Sequence, residues 1–502
     1  MFLVKTERKG RRRRLFWAGV AILIWNHAGL ALGTTEMPTD QNANGSAISL
    51  LTYGVMERVK AASNTPPQEP ADASLIRPME WKWNRYLKNA LNLPEWIDLG
   101  LENRTRFETL DHPFRRIQSG TGPQVLLRTR VRLGLNLSAV GFLFEGQDSR
   151  TYLHDTGDFV NNLTVNQVDI LQLLGSLSLR NVTGTGLRTD LHFGRLTMDF
   201  GKRRLIAKNN FRNTTNAFDG VHWQIGQEKV WRIRAFFVEP VLRDEVRLDE
   251  QSENSLFWGT FMENFQIPWM HMNVFYFGLN DQRFQNINLN RTYGTYGVRV
   301  YKPDAVGEFD YEFDGAIQTG QLGETDHFAY NPNVEVGYTF DMSWTPRFLL
   351  QYVYASGTRS PGGSQSQDFD PLFGARRFDL NPTGIFGPFV RSNISSPGWR
   401  IIVIPVTGWT FQIKHRVWYL AQSRAPYFGG ALQDSTGGSG NFLGQDVELR
   451  AQFKINDNLE FDAGYDHWFK GSYFDRLPAS AGLPPGGNND SDYFYILTKF
   501  RM

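Results

Sequence analysis

From about Trp96 onward, apolar and polar residues alternate with a period of two. In Ile97-Asp98-Leu99-Gly100-Leu101-Glu102-Asn103-Arg104-Thr105-Arg106-Phe107 the odd positions are mostly apolar and the even ones small or charged. The run 125–135 repeats this with Arg128, Arg130 and Arg132 on one face, and 309–317 does so with Asp310, Glu312 and Asp314. The segments 447–455 and 459–465 continue the pattern near the end. Such alternation puts charges on one face of a strand and aliphatics on the other. Soluble strands average about five or six residues. Many of these runs are longer, about the nine to eleven residues a tilted strand needs to cross a bilayer. The pattern therefore predicts an all-β chain, a transmembrane antiparallel β-barrel of about eighteen strands, from 96–108 to 491–502. One of them is expected at 333–343. Two Gly-, Pro-, Ser- and Asp-rich insertions, 357–397 and 471–490, are expected as long loops.

Composition supports a barrel over a helical membrane protein. Mean hydropathy is −0.39, too polar for a helical bundle. Aromatic residues nevertheless reach 14%, as barrels with aromatic girdles require. The N-terminus carries Lys5, Arg8, Lys9 and Arg11 to Arg14, then the apolar run Leu15 to Trp25 and the small residues around Ala31. This order predicts a secretory signal over 1–31. Residues 32–94 read as a periplasmic lead-in, with Pro66, Pro67, Pro70 and Pro78 and a short amphipathic helix over 79–91; residues 95–502 read as the barrel. The expected location is the bacterial outer membrane. The count Cys 0 excludes disulfides, thiolate metal sites and a lipid-bearing cysteine. The formal charge of +2 becomes about −4 once the expected signal is removed, so net charge gives no reason to expect nucleic acid.

Candidate chemistry lies on the polar strand faces. Arg104, Arg106, Arg128, Arg130 and Arg132 project from two adjacent strands, with Arg232, Arg234, Lys414, Arg416 and Arg450 elsewhere around the ring. Guanidinium forks suit carboxylates and keep their charge at any relevant pH. One reading makes these residues a substrate path. The other has them paired with Glu102, Glu108, Asp446, Glu448, Glu460, Asp462 and Asp466, bracing the wall. Enzyme signals are poor. Gly184-Thr185-Gly186-Leu187-Arg188-Thr189 lacks the last glycine and the strand–helix setting of a dinucleotide loop. The nine histidines show no paired zinc spacing. A non-enzymatic protein without metal or cofactor is expected.

Several ordered segments resemble the alginate-export family of bacterial outer-membrane proteins. They are Leu127 to Leu133, Phe144-Glu145-Gly146-Gln147-Asp148-Ser149-Arg150, Phe193-Gly194-Arg195, Phe200-Gly201-Lys202-Arg203-Arg204-Leu205-Ile206 and Ala217 to Val221. Further along come Phe369-Asp370-Pro371-Leu372-Phe373-Gly374, Arg391-Ser392-Asn393-Ile394 and Phe442 to Leu449. The resemblance covers 96–502 and implies an eighteen-stranded barrel with an arginine-lined constriction that passes a polyuronate. It adds Asp148, Arg204, Arg376, Arg377 and Arg391 as constriction candidates. Implied partners are an anionic polysaccharide or small anionic solute, outer-membrane lipid and periplasmic secretion components. An uptake porin for sugars or small organic acids is the alternative.

Overall fold

The computed structural model describes residues 86–116, 122–182, 184–227, 229–283 and 289–502. The expected signal at 1–31 and the lead-in up to residue 85, including most of the helix expected at 79–91, lie outside the described residues. The short helix α1 (Tyr86–Ala90) precedes the first strand. Its Lys88 reaches Glu95 at 3.1 Å and Asp98 at 3.7 Å.

Eighteen long strands form one closed antiparallel sheet. They are β1 (Ile97–Asp111), β2 (Gln124–Leu137), β3 (Val140–Tyr152), β4 (Asn166–Arg180), β5 (Arg188–Leu196) and β6 (Phe218–Gln227). Then follow β7 (Trp231–Leu242), β8 (Ser255–Asn264), β9 (His271–Asp281), β10 (Arg291–Lys302), β11 (Phe309–Leu322) and β12 (Thr325–Thr339). The last six are β13 (Arg347–Ala355), β14 (Ile394–Val403), β15 (Trp409–Tyr419), β16 (Phe442–Lys454), β17 (Leu459–Lys470) and β18 (Ser491–Arg501). Each pairs with its chain neighbours, and β1 pairs with β18 to close the ring, so that Arg104 stands opposite Lys499 on one side and Arg128 on the other. Connections at one end are short turns, such as 138–139 and 404–408. At the other end lie the long loops 197–217, 356–393, 420–441 and 471–490.

Burial follows the sequence alternation. On β2 the side chains of Leu126, Arg128, Arg130 and Arg132 are buried, whereas Val131 between them is 45% exposed. Phe142, Phe237, Phe313 and Leu350 stand outward in the same way. An apolar exterior and a charged interior make this a barrel whose solvent on the outside is lipid. β12 departs from expectation: it runs 325–339, not 333–343. Pro332 cannot donate a ladder hydrogen bond, which argues for a break in the sequence. The strand passes through it, because His327, Ala329, Asn331 and Asn333 keep the inward register and Pro332 pairs with Gly315.

The lumen is occupied by two loops, 197–217 and 356–393, spliced to each other. Phe373 N donates to Leu205 O at 2.9 Å, Ala207 N to Phe373 O at 3.2 Å, and Ala375 N to Arg203 O at 2.9 Å. A Cβ at Gly374 would lie 1.8 Å from Arg204 O, so only glycine permits this approach.

The lipid-facing assignment has a direct check. Val131→Arg should cost about 2–4 kcal/mol of stability if Val131 lies near the bilayer midplane. Val131→Leu should be close to neutral. Urea unfolding from lipid vesicles measures both, and equal stability of the two variants would contradict the placement.

Candidate functional site

The 197–217 loop enters the lumen through a tight turn. Arg203 N donates to Phe200 O at 2.8 Å, and Gly201 takes φ +53 inside that turn. This aims Lys202 and Arg204 at the wall made by β11 and β12. The Arg204 guanidinium meets Asp379 at 2.7 Å, Asp314 at 2.5 Å, Glu335 at 3.2 Å and also Glu312. Lys202 reaches Glu335 at 2.6 Å and Glu312 at 3.3 Å. Arg299 binds Glu312 at 2.6 Å, and Arg391 binds Asp379 at 2.5 Å. The four carboxylates are thus matched by the cations of Lys202, Arg204, Arg299 and Arg391. That balance is what buried ions need if desolvation is to be offset. Burial alone would raise the Asp379 carboxyl, but Arg204, Arg391 and Lys202 outweigh it and hold it well below the usual range.

The arginine ladder of β1 and β2 faces inward as expected, but its donors are committed to the loop. Arg104 donates to Asn210 O at 2.5 Å, Arg212 O at 3.1 Å and Asn213 Oδ1 at 2.8 Å. Arg106 donates to Phe211 O and meets Glu108 at 3.1 Å. Arg128 donates to Glu102 at 2.9 Å and to Asn210 O at 3.3 Å. Arg130 donates to Gln147 at 2.9 Å and to Thr215. Arg132 continues this face, opposite Glu145 on β3. The ladder thus grips backbone carbonyls and acids, a bracing role.

The other predicted strand cations are similarly engaged. Arg232 and Arg234 share Glu263 at 2.6 and 3.2 Å. Lys414 binds Glu448 at 2.7 Å and Leu380 O at 2.7 Å. Arg450 binds Asp462 at 2.5 Å, and Arg416 donates to Ser396 O at 3.1 Å. Of the loop candidates, Arg377 pairs with Glu448 at 2.7 Å, whereas Arg376 donates to the carbonyls of Gly387 and Phe389. Asp148 is a correction to the sequence reading. It lies on the opposite face of β3 from buried Glu145 and Gln147, half-exposed, and accepts from Arg150 at 3.0 Å. A one-residue offset reverses the face of a strand side chain.

A set of half-buried cations meets no carboxylate among the described residues, and of its members the sequence reading singles out only Arg376. Arg203, Lys208 and Arg212 come from the 197–217 loop, Arg376 from the 356–393 loop and Arg400 from β14. Arg203 stacks over Phe378, its Cζ 3.7 Å from the ring centroid, and Arg400 donates to Phe378 O at 2.6 Å. Burial, together with the nearby Arg243 and Arg376, pushes the Arg212 pKa well down. Arg376 is pushed down to about 10 by burial and by Arg391. Cations crowded in this way are relieved by an incoming anion. Loop position hid Arg203, Lys208 and Arg212, because no two-residue period tells a loop side chain where to point.

A closed barrel with a lipid-facing exterior, short turns at one end and long loops folded into a charged lumen is that of a bacterial outer-membrane channel of the porin type. Within that class, the chain belongs to the alginate-export family, which matches residues 95–482. Solved barrels from Pseudomonas aeruginosa share the fold at low identity. OccK3 (OpdO) is 13% identical with a TM-score of 0.54, over 84% of this chain and 99% of that one. OprD is 14% identical with a TM-score of 0.52, over 81% and 94%. OpdK, in a structure with vanillate, is 10% identical with a TM-score of 0.52, over 81% and 98%. No curated protein matches the chain.

Arg204→Ala would leave four carboxylates facing three cations and should destabilise the lumenal loops by about 3–5 kcal/mol. Protease sensitivity of 197–217 in the folded barrel reads this, and wild-type resistance would contradict the knot. A depressed carboxyl pKa contributes its full stability above the unfolded value of about 3.9 and loses it progressively as pH falls from there through the folded value. Wild-type loops should therefore stay protected on acidification to about pH 4, with protection failing only at lower pH.

Proposed function

We propose that the channel passes a carboxylate-bearing solute, with a uronate-type polysaccharide as the first choice, and that cations of the lumenal loops, together with Arg400 of β14, make the contacts. The observation that carries this reading is the set Arg203, Lys208, Arg212, Arg376 and Arg400, half-buried inside the barrel and without carboxylate partners. A uronate chain offers one carboxylate per sugar, which a guanidinium takes in a forked pair. Several such contacts in succession, each weak enough to release, would let the chain move on. Membership of the alginate-export family supports the polymer. The strand ladder of Arg104, Arg106, Arg128 and Arg130 takes a second place here, as the brace that holds the loop bearing these cations.

A second reading, uptake of small organic acids, is favoured by the likeness to barrels such as OpdK, whose structure with vanillate holds a small aromatic acid. Both readings require anion preference. They differ in the solute that blocks the pore.

Single-channel recording in a planar bilayer under a salt gradient tests both. Anion preference with block by oligouronates supports the polymer, whereas block by a monomeric aromatic acid alone shifts the reading to uptake. The combined variant Arg203→Gln, Arg376→Gln and Arg400→Gln should move the reversal potential towards zero. Arg128→Ser should loosen the 197–217 loop and leave the sign of the preference intact. If the triple variant keeps wild-type selectivity, these cations are not the path.

A further inference from the structure

Arg203 differs from its neighbours in how it is held. Its backbone lies in the left-handed region at φ +61, which a non-glycine residue adopts only when its surroundings enforce it. The enforcement is visible at both backbone groups: Arg203 N donates to Phe200 O at 2.8 Å, and its carbonyl accepts from Ala375 N at 2.9 Å. The side chain then leaves the turn and places its Cζ over the Phe378 ring of the second loop, 3.7 Å from the centroid. The acids of the knot beside this turn, Glu312, Asp314, Glu335 and Asp379, are already matched by Lys202, Arg204, Arg299 and Arg391. The charge of Arg203 is therefore surplus to the knot beside it.

A guanidinium stacked on a ring keeps its N–H groups in the ring-parallel plane, pointing outward. Stacking restricts its rotation without using its donors. The result is a fixed, planar fork, the geometry that recognises a carboxylate by two parallel hydrogen bonds. Phe378 is itself anchored, since its carbonyl accepts from Arg400 at 2.6 Å, so that a second cation, in the field of Glu335, Glu448 and Asp379, is tied to the same residue.

We propose that Arg203, held over the Phe378 ring, is the specificity-determining residue of the channel. It takes a solute carboxylate in a forked pair, with Arg400 adding charge alongside. This rests on the reading that the solute carries carboxylates, and it goes further in assigning discrimination between a planar carboxylate and a spherical anion to one stacked side chain.

The test uses the full chain refolded into planar bilayers, with chloride reversal potential and block by oligogalacturonate measured on the same channels. Arg203→Lys keeps the charge and loses the planar fork. It should leave the reversal potential near the wild-type value and weaken block by roughly five- to tenfold. Phe378→Leu should behave in the same way, because the fork loses its platform. Arg203→Gln should lower both anion preference and block. Both conservative variants are checked for native heat-modifiable migration before recording. Wild-type block in Arg203→Lys and Phe378→Leu would overturn the proposal. If that result accompanies weakened block in Arg376→Gln, the carboxylate reading survives and only the role of Arg203 fails. Absence of oligogalacturonate block in the wild-type channel would overturn both together.

Discussion

The interior of this barrel depends on one guanidinium. Arg204 is offered to carboxylates from three directions: β11 supplies Glu312 and Asp314, β12 supplies Glu335, and the 356–393 loop supplies Asp379. Four acids brought together without it would repel one another, and the guanidinium alone would be a buried excess charge. Together with Lys202, Arg299 and Arg391 the group is neutral, so the wall and both loops share one electrostatic solution. The backbone splice at Phe373 and Ala375 then follows, since it brings the two loops into register beside that cluster.

The barrel itself was legible because a strand in lipid has only two faces. Once Val131 is assigned outward, Arg130 and Arg132 must point inward, and the β1–β2 register follows the same logic. What alternation cannot convey is the fate of an inward charge. Arg128 and Arg400 are both inward cations on strands, yet the first is bound to Glu102 and loop carbonyls while the second meets no carboxylate. That difference is decided by loops from elsewhere in the chain. Arg203 and Arg204 show the limit most sharply: they are adjacent in sequence, but one lies on Phe378 and the other sits in the centre of the knot. Their separation comes from the turn at Gly201 and the splice to the second loop, neither of which leaves a periodic trace. Asp148 failed for a simpler reason. The resemblance alone points to it, whereas the two-residue period of its strand places it outward.

The same comparison explains why the fold says little about the cargo. OccK3 and OprD share this barrel at 13% and 14% identity, so the wall tolerates nearly complete replacement of its residues. A wall needs an apolar exterior, a polar interior and closed hydrogen bonding, and many sequences satisfy those demands. Selectivity needs particular side chains at fixed separations, a demand that a shared wall does not by itself meet.

Loops are ordinarily the least ordered part of a fold, and a filter requires the opposite. This chain resolves the conflict by attaching its loops around the ring: to β1 and β2 through Arg104 and Arg128, to β10 through Arg291 and Asp370, to β11 and β12 through Arg204, and to β15 through Lys414. Several strand cations are committed to that bracing. Rigidity obtained in this way lets Arg203, Arg376 and Arg400 hold position on a ring face and on loop carbonyls, without carboxylate partners. The abundant ion-paired charges and the few without a carboxylate partner are therefore two parts of one arrangement, in which the first group fixes the geometry that holds the second.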